Sequence, residues 1–322
     1  MTYAKNSAIT AADYNTFAGL TGTAAASAVA AQNKAGYLYG IGFGDRGYGL
    51  TTPALTAKSS GGAIGQEWQT LRTVMSNIAT WQNTAVTLLP PSAGLNTGVA
   101  SVAHERDAPS LNTYDFQDMV ALLDTNRTNY QVGNMTAAAG VTSTRATTWG
   151  AGTTGITCEF SVTFADENAA RYFFNTGGEV RLALSHPSTA TARDTSWNTV
   201  LASLVAGFRA NSTARLTGSF GTAQSIGYYQ LTTAYQTILD GTNSGTGVYT
   251  VNDFVVQAKA STITGLNGAK GSVIMFQVIL TDQQTNAFSD IVQSGTAVAL
   301  SHLRATTTMS IAAPATAVTV AF

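Results

Sequence analysis

Phe164-Ala165-Asp166-Glu167-Asn168-Ala169-Ala170-Arg171-Tyr172-Phe173-Phe174-Asn175-Thr176-Gly177-Gly178-Glu179-Val180-Arg181-Leu182-Ala183-Leu184 decides the fold class of this chain. Asp166 is placed to accept from the free N–H groups of a helix start, and Glu167 suits the positive end of that helix. Ala169, Ala170, Tyr172, Phe173 and Phe174 then form a short helix with an aromatic face. Gly177 and Gly178 supply the backbone freedom needed to stop it and turn back. From Glu179 to Leu184 the residues alternate, so Val180, Leu182 and Leu184 face one way, as in a half-buried strand. Strand, helix, glycine turn and strand within so few residues read as a packing unit, with Tyr172, Phe173, Phe174, Gly177 and Gly178 as its structural anchors.

Similar strand signals, rich in β-branched and aromatic residues, recur over 157–164, 214–220, 227–238, 249–259, 271–282, 298–309 and 317–322. Asn267-Gly268 marks a hairpin before the 271–282 run, which alternates little and reads as a central strand covered on both faces. Asp194-Thr195-Ser196-Trp197 opens a second helix, with Trp197, Leu201, Leu204, Val205 and Phe208 on one face. The second half is therefore read as a β-rich, sandwich-like domain carrying two helices, over 151–322. The Ala, Gly and Thr-rich run from Met135 to Thr154 reads as the boundary before it.

The first half, 1–150, reads as a helical docking or assembly module. Three helix starts resemble one another: Ile9 to Phe17, Ala63 to Leu71 and Leu111 to Met119. Each runs acid, aromatic, amide, Thr or Asp, then a large apolar residue. Thr10 and Asn112 stand three residues before Asp13 and Asp115, the spacing of a capping box. Helices are expected over 67–81, through Trp68, Leu71, Val74, Met75, Ile78 and Trp81, and over 113–130. The fold class that results is α+β.

Charged residues make up 10 % of the 322 residues, against roughly 25 % in an ordinary soluble protein. A surface so poor in charge fits burial against other subunits of a large assembly. A net charge of −1 leaves no electrostatic footprint for nucleic acid or an anionic membrane. Cys158 is the single cysteine, so it forms no intrachain disulfide and reads as a small buried hydrophobe. The first residues lack the basic and apolar regions of a signal peptide, and no apolar run is long enough to insert in a bilayer.

Candidate chemistry is sparse. Gly42, Gly44 and Gly47 match a dinucleotide fingerprint in letters, but Tyr48-Gly49-Leu50-Thr51-Thr52-Pro53 follows where a helix must open. The stretch reads as an aromatic–glycine loop. His104-Glu105-Arg106-Asp107 reads as a solvated or inter-subunit ion-pair loop, and His186 and His302 as structural histidines. Hydrolase, zinc and phosphate-loop motifs are absent from the sequence, so no catalytic, metal or cofactor residue is expected. Tyr37, Tyr39 and Tyr48 are the aromatics best placed for surface stacking on a glycan.

The run from Asn168 to Arg181, with its Tyr-Phe-Phe-Asn-x-Gly-Gly core, resembles a segment of virion structural proteins of tailed phages, including contractile-tailed cyanophages. Ala12-Asp13-Tyr14-Asn15, Gly44-Asp45-Arg46-Gly47-Tyr48-Gly49 and Gln66-Glu67-Trp68-Gln69-Thr70-Leu71-Arg72 resemble further patches of the same group. The resemblance covers roughly 9–75 and 160–185. It implies a non-enzymatic place on a virion, in the tail, baseplate, fibre, collar or neck, among other virion proteins. Homo-oligomerisation follows as an expectation, a trimer before a hexamer. A receptor- or glycan-binding surface module is the alternative expectation, and a depolymerase-like hydrolase the third.

Overall fold

The computed structural model describes residues 15, 35–51, 65–85, 87–88, 113–114, 116–150, 155–284 and 290–322. The chain divides into two compact units, Met1–Asn134 with Thr307–Met309, and Met135–Thr306 with Ser310–Phe322. The architecture is α+β with mostly β content: few helices and two antiparallel sheets among the described residues.

The first unit contains α1 (Ala35–Tyr39), α2 (Gly65–Trp81), the parallel pair β1 (Thr87–Leu88) and β2 (Thr113–Tyr114), and α3 (Phe116–Thr125). Leu71, Val74, Met75, Ile78 and Trp81 form the buried stripe of α2, at the helical spacing that predicts it. Met119, Val120 and Leu123 do the same on α3. The third helix is shorter than the 113–130 expected. Thr113 and Tyr114 are extended and pair with β1, and after Thr125 the chain tightens into a turn in which Arg127 N donates to Asp124 O. The capping residues Thr10, Asp13, Asn112 and Asp115 lie outside the described residues, as does the 104–107 charge cluster.

The second unit is a β-sandwich. Its strands are β3 (Met135–Thr144), β4 (Gly155–Thr163), β5 (Glu179–Ser185), β6 (Leu204–Phe208), β7 (Thr213–Thr217), β8 (Thr222–Ala223), β9 (Gln236–Gly241), β10 (Asp253–Ala260), β11 (Val273–Thr281), β12 (Ala297–Ala305) and β13 (Ala315–Val320). Two helices interrupt them, α4 (Glu167–Asn175) and α5 (Ala192–Leu201). One sheet has the order β13-β4-β11-β10-β9-β8 and the other β3-β12-β5-β6-β7. Both pairs of sheet edges are bridged. Thr213 N donates to Gln224 O beside β8, and Phe322 N donates to Ser143 Oγ on β3. An edge so occupied offers less free backbone for unwanted pairing.

Three expectations are corrected here. The low-complexity run expected as a boundary over 135–154 is a strand over its first ten residues, because it pairs antiparallel with β12 and buries Ser143. The helix expected through Phe208 stops at Leu201. Ser203 adopts a left-handed φ of 52°, and Leu204, Ala206 and Phe208 then alternate inward as β6. The 271–282 run is central, between β4 and β10, but it alternates in burial, and Val273, Met275, Gln277, Ile279 and Thr281 stay half-exposed on its outer face. Asn267 and Gly268, both at positive φ, do turn the chain between β10 and β11.

The core lies where α4 carries the chain from one sheet to the other. Asp166 caps the helix by accepting from Ala169 N at 2.7 Å. Phe173 and Phe174 meet edge-on, with centroids 5.0 Å apart, and both reach Phe164 at the end of β4. Phe174 stacks on Tyr228 at 4.6 Å and touches Phe208, which in turn meets Phe276 of the opposite sheet at 5.3 Å. Tyr172 is only half-buried, on the helix face away from this cluster, so the core anchors are Phe173 and Phe174. The two glycines have different tasks. Gly177 takes a positive φ of 84°, whereas a Cβ on Gly178 would come within 2.4 Å of Phe173 O.

Phe173→Ala should cost about 3–5 kcal/mol of stability in chemical denaturation, and Tyr172→Ala about 1 kcal/mol or less. Equal losses for the two variants would contradict this assignment of the core.

Candidate functional site

In the first unit the Gly-Asp-x-Gly-Tyr-Gly segment is a loop in which Gly42, Gly44, Gly47 and Gly49 all have positive φ. No helix opens at Gly47, so the fingerprint letters lack the helix N-terminus that a pyrophosphate needs. The loop is instead fastened to α3. Arg46 donates to both oxygens of Asp124, at 2.6 and 3.1 Å, and Arg127 donates twice to Asp45 Oδ2, at 3.0 and 2.9 Å. Tyr48 is 1 % exposed; its hydroxyl donates to Arg127 O at 3.0 Å and accepts from Gln82 Nε2 at 2.8 Å. Burial pushes its phenol well above the ordinary value, although the bond from Gln82 opposes this.

Tyr37 is buried in α1 and Tyr39 half-buried there. Two of the three tyrosines considered for stacking on a glycan, Tyr37 and Tyr48, therefore present no ring face to solvent. Tyr48 is a bolt between loop and helices, which is the physical reason for an aromatic at that position.

The second unit holds a cluster of polar groups around the start of α5. Thr191 and Asp194 form a reciprocal capping box. Asp194 is the third residue of the helix rather than its opener, and its carboxylate faces inward. It accepts from Gln293 N at 2.8 Å, His186 Nε2 at 2.9 Å, Ser188 Oγ at 3.1 Å and Thr191 N at 3.2 Å. His186 Nδ1 lies 2.9 Å from Thr296 Oγ1, which accepts from Trp149 Nε1 at 3.1 Å. The indole N–H donates to the threonine hydroxyl; in the tautomer with its proton on Nε2, His186 accepts from that hydroxyl at Nδ1 and donates to the carboxylate.

Hydroxyl, imidazole and carboxylate in line have the connectivity of a hydrolase triad. A nucleophile must reach a substrate, however, and Thr296 and Asp194 are 0 % exposed while His186 is 3 %. As arranged, the trio ties together the segments around 149, 186–194 and 293–296. Burial raises the pKa of Asp194, but the Gln293 N–H, His186 and Ser188 outweigh it and hold the carboxyl below its ordinary value.

A second buried carboxylate continues the network. Asp282 Oδ2 lies 3.6 Å from Arg193 Nε and 3.4 Å from both Trp197 Nε1 and Asn252 Nδ2. Here burial wins, and the Asp282 carboxyl sits above its ordinary value although Arg193 opposes the shift. Arg193 also donates to Gly150 O and lies over the Tyr249 ring at 5.3 Å, while Trp149 and Trp197 meet at 5.1 Å. Among the described residues no group of three or more His, Cys, Asp or Glu could hold a metal ion. Cys158 is fully buried on β4, and burial raises its thiol, so it is not poised as a thiolate.

The sequence treated His186, Asp194, Thr296, Asp282 and Arg193 as unrelated. Their one legible signal was Thr191-x-x-Asp194, the capping box that sets the carboxylate's direction. No family model, curated protein or solved structure matches the chain. Among the described residues, no helix is long and apolar enough to cross a membrane.

Asp194→Asn should remove about 1.5–3 kcal/mol at neutral pH, the worth of hydrogen bonds to a charged group. Because the folded-state pKa of Asp194 is depressed, its contribution is present above the unfolded value of ~3.9 and is lost as pH falls through the folded value. Melting curves between pH 7 and pH 2 should therefore show a shallower acid limb in the variant. Parallel limbs for variant and wild type would contradict the role.

Proposed function

We propose that this chain is a structural subunit of a tailed-phage particle, tail-associated and working by protein–protein assembly as a homo-oligomer. The observation that carries the reading is the character of the two outer sheet faces. On the five-stranded sheet, Ala183, Val205, Ala299 and Ser301 lie on neighbouring strands and are half-exposed. On the six-stranded sheet, Val255 and Ile279 are paired neighbours, with Met275 and Gln277 beside them.

Several of the charges on these faces are engaged by neighbours. Glu159 accepts from Gln277 Nε2 at 2.7 Å, and Lys259 sits over the Tyr235 ring at 4.2 Å. Arg181 and Arg209 both pair with the buried Glu179. Faces that expose such small and apolar residues suit coverage by neighbouring subunits. The low overall charge and the resemblance at Asn168 to Arg181 support the same reading.

The test is light scattering of the purified chain across micromolar concentrations, with Ala299→Arg as the perturbing variant. The reading expects a trimer, which Ala299→Arg weakens at least about tenfold, or ~1.4 kcal/mol, with little change in melting temperature. A monomer at every concentration, together with no labelling of phage particles by an antibody against the chain, would overturn it.

A further inference from the structure

His302 is a buried histidine without a hydrogen-bond partner among the described residues. It lies on the inner face of β12, between Val180 of β5 and Ala138 of β3, and is 4 % exposed. The Phe173 ring of α4 meets its imidazole edge-on at 6.3 Å. Neither Nδ1 nor Nε2 has a hydrogen-bond partner among the described residues. His186, by contrast, has both ring nitrogens bonded.

Among the described residues, no counter-ion acts on His302. The group that acts on it electrostatically is Arg304, two residues along the same strand, whose guanidinium donates to Ile311 O. From α4 it meets a phenyl ring, from β5 a valine and from β3 an alanine. Glu179, next to Val180, is held by Arg181 and Arg209. A proton on His302 would thus put a cation among apolar groups and near a like charge, a costly arrangement with no compensating bond. Burial first, then Arg304, hold its pKa below the ordinary value, consistent with the geometry.

We propose that His302 is an acid-sensitive latch, whose protonation releases the edge strand β3 and helix α4 from the aromatic core and opens the sandwich at that end. The latch is independent of the assembly proposed above and would operate in a monomer. The sign follows from linkage: a histidine with a depressed folded-state pKa contributes stability that is complete above its unfolded value of ~6.5 and declines as pH falls below it. The opening takes up one proton.

The test is hydrogen exchange read by mass spectrometry between pH 7.5 and 5, corrected for intrinsic rates. The opening constant of β3 and α4 peptides should rise as pH falls below ~6.5, by up to about tenfold per pH unit for one proton, and should stay larger than that of β10 and β11. His302→Asn should abolish that slope, and His186→Asn should retain it. Should His302→Asn fail to fold, the imidazole NMR signal of the wild type decides: its titration in the folded state should lie below the ordinary histidine value. An unchanged slope in His302→Asn, a flat wild-type profile, or an ordinary titration of His302 in the folded protein would each overturn the proposal.

Discussion

The contact on which the second unit depends is the edge-on pair of Phe173 and Phe174 at the crossing between sheets. A β-sandwich must fill the space where a connection passes from one layer to the other, because a void there forfeits dispersion contacts on both sides. Helix α4 does this with two adjacent rings. Phe174 stacks on Tyr228 and touches Phe208, which meets Phe276 across the layers. Phe173 reaches Phe164 and His302. The rings thus contact elements from before, after and far beyond the helix in the chain.

The polar side of α4 fixes its orientation as firmly. Glu167 accepts from Thr264 N, Thr264 Oγ1 and Leu266 N, holding the connection between β10 and β11. Asn175, at the other end, accepts from Tyr229 Oη at 2.6 Å. Buried polar groups that are satisfied by distant backbone specify one arrangement as well as stabilise it. The cluster of His186, Asp194, Thr296, Arg193 and Asp282 repeats the device at α5. In the first unit, Arg46, Asp124, Arg127 and Asp45 do the same for the glycine loop. A chain this poor in charge thus uses several of its ionic groups to fasten loops.

What the sequence made legible was local. The capped helix at 167–175, the glycine turn, the strands with strong aromatic or β-branched content and the stripe on α2 follow from spacing and residue type. The strand at 135–144 did not, because Ala, Gly and Thr carry little pattern, and its pairing with β12 is a long-range fact. Leu204 to Phe208 misled because apolar residues at helical spacing from Trp197 continue a helix equally well until Ser203 turns the backbone. Tyr48 looked like a surface aromatic between glycines, yet its partners, Gln82 and Arg127, lie far along the chain. Loop-to-loop networks such as Asp194 with Gln293 are invisible for the same reason: spacing in sequence does not encode which loops meet.

The place of α4 as the joint of the sandwich can be measured directly by native-state hydrogen exchange at neutral pH, far from the acid range. Amides of α4 should be protected far beyond loop amides, at a level approaching that of β4, β5 and β11. Exchange of α4 at loop-like rates while those strands stay protected would contradict the claim that the two phenylalanines hold the layers together.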